Sequence, residues 1–167
     1  VTQMNQGKYL HQEHDDTFKT DFCIGVAGYP EKHFESPNLK TDFKYLKKKV
    51  DLGADFIVTQ MFYDVQKYID FVDQCRKNDI HVPIIPGLKP ITSSKQLVSL
   101  PKLFHIDVPE ALSEAVSSCK SEAEVKEVGI EWMIHQGKEL VKIGAPVLHF
   151  YTMSNPGPTK KIAEAIF

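Results

Sequence analysis

Polar and aromatic residues follow each of four short apolar runs in this sequence of 167 residues. In chain order the set is Tyr29, Glu31, His33, Gln60, Lys89, Gln96, His149, Tyr151 and Asn155. It offers amides and aromatic rings, but it has no Ser-His-Asp order, no pair of carboxylates and no cluster with the spacing of metal ligands. Such side chains are typical of a site that binds an organic cofactor, which then supplies the redox chemistry.

Structural roles compete with functional ones at several of these positions. His33 is also typical of a loop histidine with local hydrogen bonds, and Tyr151 fits a core as well as a site. Gln60 ends a β-branched run, where a buried amide must find hydrogen-bond partners, so a site role and a structural role both stay open. The lysines at positions 47–49 are typical of a solvated helix face, with phosphate contact as the alternative.

The apolar runs predict strands that place these residues at their carboxyl ends. We predict strands over residues 22–28, 56–62, 82–88 and 146–152, the first of them buried on both faces. Periodic apolar residues predict helices over 42–52, from Asp64 onward, and over 95–100, 109–118, 121–144 and 159–166. Thr41 is the predicted N-cap of the first helix, and Ser121 with Glu124 forms a predicted capping box.

The alternation of strands and helices predicts a parallel sheet with right-handed crossover connections. Four such units make half of a (β/α)8 TIM barrel, so we predict an α/β fold in which this chain supplies about the last four β/α units. An open, doubly wound sheet is the competing architecture. Its nucleotide-binding versions carry GxGxxG or GxxxxGKS/T after a strand, and the sequence has neither motif, which favours the half-barrel.

The first 21 residues precede the first predicted strand and carry weaker signals. Residues 1–10 fit the end of a preceding helix, and residues 11–20 form a polar stretch that predicts a loop. Because the sequence opens on Val1 without a strand signal, we expect a cut start with further barrel units before it.

Charge and cysteine content argue against several classes of function. The 20 basic and 22 acidic residues are interspersed and give a net charge of -2, so we expect neither nucleic acid nor an anionic membrane as a partner. The three cysteines form no CxxC pair, which predicts a reducing, cytoplasmic location. No apolar run reaches the roughly 18 to 20 residues of a membrane span.

Four segments in the same order resemble methylenetetrahydrofolate reductases: residues 27–33 (AGYPEKH), 53–60 (GADFIVTQ), 84–87 (IIPG) and 149–152 (HFYT). The resemblance runs from about Phe22 to the end, so residues 22–167 are expected to form the C-terminal half of a flavin-binding barrel. It implies an eight-stranded barrel that holds FAD, takes hydride from NAD(P)H and reduces 5,10-methylenetetrahydrofolate to 5-methyltetrahydrofolate. The expected partners are the missing N-terminal half and further copies in a homo-oligomer.

The resemblance also implies roles for single residues. Six match positions that bind FAD, namely Tyr29, His33, Asp42, Tyr45, Lys48 and Lys49. Asp42 matches a polar contact to the adenosine side and Lys49 a basic residue near the phosphates, whereas residue types vary in the family at Tyr45 and Lys48. Gln60 and Gln96 match positions that contact folate, and the donor and acceptor of an amide suit the edge of a pterin.

One position departs from the family pattern. After the HFYT segment the family typically has an arginine that binds substrate, whereas this chain has Asn155. Asn155 has no charge, so we expect Lys160 or Lys161 to supply it. The family's proton donor and its flavin-facing aspartate would both precede Val1, so the catalytic residues are unknown from this sequence.

Two other functions stay open. A non-catalytic half-barrel that binds flavin or folate is compatible with the same residues. A different flavin or folate barrel explains the missing arginine, but it does not explain four motifs in the family order.

Overall fold

Four parallel strands form one sheet in the computed structural model, which describes residues 1–9 and 17–167. Their bounds are Gly25–Gly28 for β1, Phe56–Met61 for β2, Ile84–Leu88 for β3 and His149–Phe150 for β4. Each strand lies beside the next one in the chain, so the order across the sheet is β1-β2-β3-β4. The parallel sheet predicted from the alternation of strands and helices is confirmed.

Seven helices lie within the described residues, and most of them bury one apolar stripe. Their bounds are α1 (Thr2–Asn5), α2 (Leu39–Asp51), α3 (Val65–Lys77), α4 (Gln96–Phe104), α5 (Glu110–Ser117), α6 (Glu122–Lys142) and α7 (Pro156–Ile166). The helices α2 and α3 occupy the first two crossovers, α4 to α6 share the third, and α7 follows β4.

The core lies between the helices and one face of the sheet. Ile57 and Met61 of β2 belong to one buried apolar cluster with Phe43 of α2, Phe71 of α3 and Leu140 of α6. The rings of Phe43 and Phe71 lie 5.7 Å apart, which ties the first two helices to each other as well as to the sheet. This packing holds the strand ends in a fixed arrangement.

The opposite face of the sheet is open. Ala27, Val58 and Ile85 lie side by side across β1, β2 and β3; Ala27 is exposed and the other two are half-buried. The prediction that the first strand is buried on both faces is therefore wrong for this chain. Its apolar composition is compatible with burial, but no described residue covers that face.

The long helix α6 is fixed to the exit of β2 by two side chains. Trp132 donates its indole N–H to the carbonyl oxygen of Tyr63 at 3.0 Å, and Gln136 donates its amide N–H to that of Phe62 at 2.9 Å. Both carbonyls lie just past the last residue of β2. The segment that leaves the strand is thus satisfied by a helix rather than by water.

Two helices begin three residues earlier than predicted. Asn38, not Thr41, is the N-cap of α2, because its side-chain oxygen accepts the backbone N–H of Thr41 at 2.9 Å. The last helix begins at Pro156 rather than at residue 159, since proline has no N–H to lose in the first turn. The predicted N-cap Ser121 is correct, and its hydroxyl accepts the N–H of Glu124 at 3.3 Å.

Other predicted elements differ in length from those in the structure. The strands β1 and β4 are shorter than predicted, although the N–H of Tyr151 still donates to Leu88 at 2.9 Å beyond β4. The helix predicted over 95–100 continues to Phe104, and the predicted helix end over 1–10 is only the short α1. The loop predicted at residues 11–20 falls partly on residues 10–16, which lie outside the described residues.

Neither a membrane-spanning helix nor a metal-binding cluster occurs in the described ranges. No helix of residues 1–9 and 17–167 is both long and apolar enough to cross a membrane. The same residues contain no group of three or more His, Cys, Asp or Glu side chains placed to hold a metal ion.

Candidate functional site

Two clefts open at the carboxyl ends of the strands, where parallel α/β folds bind their ligands. The tyrosine cleft follows β1 and β2, is a shallow crevice of about 10 Å³, and its lining includes Tyr29, Glu31, Phe34, Gln60 and His105. The lysine cleft follows β3 and β4, has a volume of about 220 Å³, and its lining includes Lys89, Thr92, Gln96, Tyr151 and Asn155. The predicted folate contacts Gln60 and Gln96 therefore lie in different clefts.

A row of aromatic rings borders the tyrosine cleft. The ring of Tyr29 meets His33 edge to face at 4.5 Å between centroids, and His33 stacks on Phe34 at 5.0 Å. Phe34 in turn stacks on His105 at 4.4 Å, although 58% of its surface is exposed. Phe34 and His105 were not predicted as site residues, since nothing in the sequence links two positions so far apart. The row offers an exposed flat surface next to a strand end.

Asp42 fixes the loop that carries this row. Its carboxylate accepts the backbone N–H of His33 and the hydroxyl of Ser36, both at 3.0 Å, from the first turn of α2. Burial raises the pKa of Tyr29, and the nearby carboxylates of Asp42 and Glu35 raise it further. The hydroxyl of Tyr29 is therefore neutral near pH 7 and can donate a hydrogen bond.

Three more predicted residues project from α2. Tyr45, Lys48 and Lys49 are exposed, and Lys49 donates its ammonium to the carbonyl of Ala27 in β1 at 3.3 Å. Tyr45 and Lys49 share a helix face, because residues four apart are neighbours on a helix. Lys47 instead pairs with Asp51 and with Asp79, the latter at 3.6 Å, so it belongs to a solvated ion-pair cluster.

Gln60 lies at the end of β2 with half of its hydrogen-bonding capacity in use. Its side-chain oxygen accepts the N–H of Met61 at 3.0 Å, and its amide N–H group donates to no described residue. The side chain is half-buried and lines the tyrosine cleft. It can therefore donate to a carbonyl or ring nitrogen of a ligand without breaking an existing bond.

Glu31 is a largely buried carboxylate in the same cleft, with 10% of its side chain exposed. It accepts the N–H of Asp107 at 3.0 Å and lies 3.9 Å from the ammonium of Lys67. Burial raises the pKa of Glu31 to about 6, against the opposing effects of the Asp107 hydrogen bond and of Lys67. These contacts tie the β1 loop to the segment between α4 and α5.

Lys89 and Gln96 characterise the lysine cleft. Gln96 uses its side-chain oxygen to accept the N–H of Thr92 at 2.7 Å, which closes the loop before α4. Lys89 is 6% exposed as a residue, and its ammonium group, which is not among the fully buried unpartnered atoms, makes no hydrogen bond or ion pair with the described residues. Burial lowers the pKa of Lys89. The sequence pattern places Lys89 at a strand end without indicating a role for it.

Tyr151 lines the lysine cleft and is bonded to β2. Its hydroxyl donates to the carbonyl oxygen of Thr59 at 2.8 Å, and its ring meets His149 edge to face at 4.7 Å. Burial raises the pKa of Tyr151, and the proximity of Tyr29 raises it further, so the two hydroxyls lie in one neighbourhood. The hydroxyl of Tyr151 thus joins the segment after β4 to β2.

The two lysines predicted to replace the family arginine do not reach the cleft. Lys160 lies 3.7 Å from Glu164, and Lys161 donates to Glu127 of α6 at 2.8 Å. Both pairs are exposed, and neither lysine lines the lysine cleft. Asn155 does line it, as the N-cap of α7, and its side chain makes no capping hydrogen bond. The prediction for the two lysines is not supported by this arrangement.

A larger cleft lies away from the strand ends. It has a volume of about 560 Å³, runs between α3 and α6, and is lined in part by Trp132 and His135. It contains none of the residues predicted to bind flavin or folate. We therefore place the candidate site at the strand ends.

Comparison with known proteins identifies a family and a set of relatives. The family model for methylenetetrahydrofolate reductase matches residues 8–166. Methylenetetrahydrofolate reductase 1 of Schizosaccharomyces pombe is 38% identical over 160 residues, which cover 95% of this chain and 26% of the relative. The 5,10-methylenetetrahydrofolate reductase of Escherichia coli is 36% identical over 135 residues, which cover 80% and 46%.

A solved structure also shares the fold. It is an uncharacterised protein from Clostridium thermocellum that binds two copies of 5-methyl-5,6,7,8-tetrahydrofolic acid. The match has a TM-score of 0.56 and 21% sequence identity, and covers 87% of this chain and 52% of the other. This chain thus spans between about a quarter and a half of the length of the proteins that it matches.

Proposed function

The chain belongs to the methylenetetrahydrofolate reductase family, and we propose that the complete protein reduces 5,10-methylenetetrahydrofolate to 5-methyltetrahydrofolate with NAD(P)H as hydride source. The observation that carries the proposal is the family match over residues 8–166, a range that contains every residue of both clefts. Because the chain spans only part of its relatives, the activity is proposed for the complete protein.

We further propose that the chain forms the last four β/α units of a (β/α)8 barrel. The four strands run in chain order without the reversal found at the switch point of a doubly wound sheet. The open face carries apolar side chains such as Val58 and Ile85, which suit the interior of a barrel. The remaining strands would then cover that face and pair with β1 and β4.

FAD is the proposed cofactor, and the donor set of the tyrosine cleft and α2 fits it. The aromatic row at Tyr29 and His33 suits contact with a planar ring system, and the exposed Tyr45 is a second candidate. Lys48 and Lys49 offer two positive charges for a pyrophosphate. Asp42 already holds the loop and would act mainly by positioning His33. When bound, FAD supplies hydride transfer between the two substrates.

Folate binding is proposed for two amides, Gln60 at the end of β2 and Gln96 at the start of α4. Gln60 has an unused N–H group beside the cleft, which suits an acceptor on a pterin edge. Gln96 has its oxygen occupied by Thr92 and would contribute its N–H group as well. The structural relative that binds 5-methyltetrahydrofolic acid supports a folate site on this fold.

The side chains of this chain are suited to binding and orientation. Tyr29 and Tyr151 have neutral hydroxyls near pH 7, and burial raises the pKa of each further above its ordinary value of 10. Glu31 is engaged by Asp107 and Lys67, so we assign it to holding the β1 loop. The proton donor is proposed to lie outside this chain, in the preceding part of the barrel.

The experiment uses the complete protein that contains this chain, purified with FAD. Formation of 5-methyltetrahydrofolate is followed with NADH and with NADPH, and the two half-reactions are then measured separately by stopped flow. Gln60→Ala should slow flavin reoxidation by methylenetetrahydrofolate roughly 10- to 100-fold, because a buried polar partner is lost. It should leave flavin reduction by the nicotinamide cofactor almost unchanged.

Gln74→Ala is the matched control, because Gln74 is an exposed amide on the outer side of α3. Equal losses in both half-reactions would refute the folate role of Gln60 without touching the overall activity. A protein that binds FAD and folate but forms no 5-methyltetrahydrofolate would instead support a non-catalytic binding function.

A further inference from the structure

Lys89 has a largely buried side chain, and no described residue pairs with its ammonium group, which reaches the solvent of the lysine cleft. It follows β3 directly, and its side chain is more than nine-tenths buried. A lysine whose stem is held by packing presents its charge at a fixed place, and such a charge in a cleft attracts an anion. The position is therefore suited to an anionic group of a ligand in the cleft.

The lining of the lysine cleft is otherwise uncharged. Apart from Lys89, it consists of proline, methionine, hydroxyl and amide side chains, among them Thr92, Gln96 and Thr152. No aspartate or glutamate is among them, so the charge of Lys89 is not neutralised within the cleft. Hydroxyl and amide groups surround it, and these can donate hydrogen bonds to an anion.

The N-terminus of α7 opens into the same cleft. Asn155 is its N-cap, and Pro158 and Thr159 of its first turn line the cleft. The amino end of a helix carries a partial positive charge and stabilises anions. Two independent features, a buried lysine and a helix N-terminus, thus favour negative charge in one place.

The size of the cleft limits the kind of anion. About 220 Å³ is below the range of pockets that enclose whole drug-sized ligands, so the cleft takes one end of a molecule. A glutamyl group fits such a space, whereas a dinucleotide pyrophosphate with its two riboses does not. Gln96, a proposed folate contact, lines the same cleft.

We propose that Lys89 binds the carboxylate of the glutamate tail of the folate substrate. The inference rests on the proposed function, since it names the part of the substrate that the lysine cleft recognises. Lys89 would then supply the positive charge that Asn155 lacks at the position of the family arginine. Lys160 and Lys161 are paired with glutamates outside the cleft and do not supply it.

The test compares two substrates and four enzymes, all as the complete protein with FAD. The substrates are 5,10-methylenetetrahydrofolate and 5,10-methylenetetrahydropteroate, which lacks the glutamate. The parent enzyme should prefer the folate in kcat/KM by roughly 10- to 100-fold. Lys89→Met should lose most of that preference, because kcat/KM should fall for the folate and not for the pteroate. Lys89→Arg should retain most of it, and Lys160→Met, an exposed control, all of it.

The alternative outcomes separate the possible errors. An equal loss of kcat/KM for both substrates in Lys89→Met would mean that the lysine contacts the pterin or has a structural role. A higher KM for NAD(P)H alone would mean that it contacts the dinucleotide. Either result, or no change, overturns the inference while the proposed function stands. If Lys89→Met does not fold, a parent enzyme with no preference for the folate still overturns it. A parent enzyme inactive on both substrates refutes the proposed function and this inference with it.

Discussion

Glu31 shows how a single carboxylate can oppose folding at neutral pH. Its side chain is largely buried, so ionisation occurs where water stabilises the charge poorly. The hydrogen bond from Asp107 and the ammonium of Lys67 compensate only in part, and the pKa rises from 4.5 to about 6. The folded protein therefore binds this proton more tightly than the unfolded chain does.

We predict that Glu31→Gln makes the protein more stable at neutral pH. A pKa raised by folding gives stability that is present below the unfolded value of 4.5 and is lost as the pH rises through about 6. Urea unfolding of the complete protein should therefore show an advantage of about 1 to 2 kcal/mol for Glu31→Gln at about pH 7.5 and almost none at about pH 4.5. Glu131→Gln, at an exposed position of α6, should show no such change with pH. A pH-independent difference for Glu31→Gln would contradict the prediction.

Lys49 offers a test of the cofactor assignment at the same scale. Its ammonium lies near the end of β1, where it contacts Ala27, and it is exposed toward solvent. If it contacts the pyrophosphate of FAD, Lys49→Met should raise the dissociation constant of FAD roughly 10-fold, measured by titration of the apoprotein with flavin fluorescence. Lys44→Met, another exposed lysine of α2, should leave it unchanged. Equal affinities in all three proteins would exclude the phosphate contact.

Sequence pattern predicted where site residues lie better than what they contact. Gln60 and Lys89 were placed at strand ends because apolar runs stop there, and both line clefts. The stack of Phe34 on His105 was not predictable, since it depends on how the β1 loop meets the end of α4. The sequence could not exclude Lys161 as a substitute for the family arginine, because its pairing with Glu127 depends on how α7 packs on α6.

Among the elements, β2, β3 and the segment after β4 approach one another very closely at Gly87. The N–H of Gly87 donates to the hydroxyl of Thr59 at 2.9 Å, and the ring of Tyr151 lies against its Cα. A Cβ at position 87 would overlap the carbonyl oxygen of Thr59 and lie 2.6 Å from that ring. Tyr151 bonds to the same carbonyl oxygen, so a larger residue would push apart the groups that join the segment after β4 to β2.

We predict that Gly87→Ala destabilises the protein by about 1 to 3 kcal/mol, because overpacked side chains and backbone must shift. Thermal unfolding of the complete protein measures this as a lower Tm. Gly157→Ala is the control, because its Cβ would meet only the side-chain oxygen of Asn155 at 3.7 Å and alanine favours a helix. Its Tm should stay equal or rise slightly. Similar losses for both variants would mean that the close approach at Gly87 is not the cause.

Element types were predictable, whereas their ends were not. The 3.6-residue period of α2 and α3 and the β-branched run of β2 are local signals that folding retained. The start of α2 is set by the residue whose side chain accepts a backbone N–H of the first turn. Asn38 accepts that of Thr41, three residues further along. β4 is short because only two of its residues pair with β3 in regular register.

At the scale of the molecule, the sheet has two free edges and an open face within the described residues. The strands β1 and β4 each pair on one side only, and Val58 and Ile85 lie half-buried on the face away from the core. Such edges and apolar surface favour association with other chains. The parallel order followed from the alternation of strands and helices, but closure of a barrel depends on strands beyond the described four.

One substitution on the open face is expected to have opposite effects in the isolated segment and in the complete protein. If residues 1–167 are half of a barrel, the segment expressed alone should associate, bind FAD weakly and form no 5-methyltetrahydrofolate unless the preceding half is added. Val58→Lys should raise its monomer fraction in sedimentation, because a charge on an exposed strand face opposes association. In the complete protein the same lysine would be buried inside the barrel without a partner, so it should lower stability by several kcal/mol.

Lys44→Glu, an exposed change of charge on α2, is the control. It should change neither the monomer fraction of the segment nor the stability of the complete protein. A monomeric segment that retains flavin and turns over unaided would contradict the half-barrel. So would a complete protein that tolerates Val58→Lys, because the open face would then be exposed there too. Opposite responses of segment and complete protein to one substitution would place Val58 at an internal surface that the rest of the barrel covers.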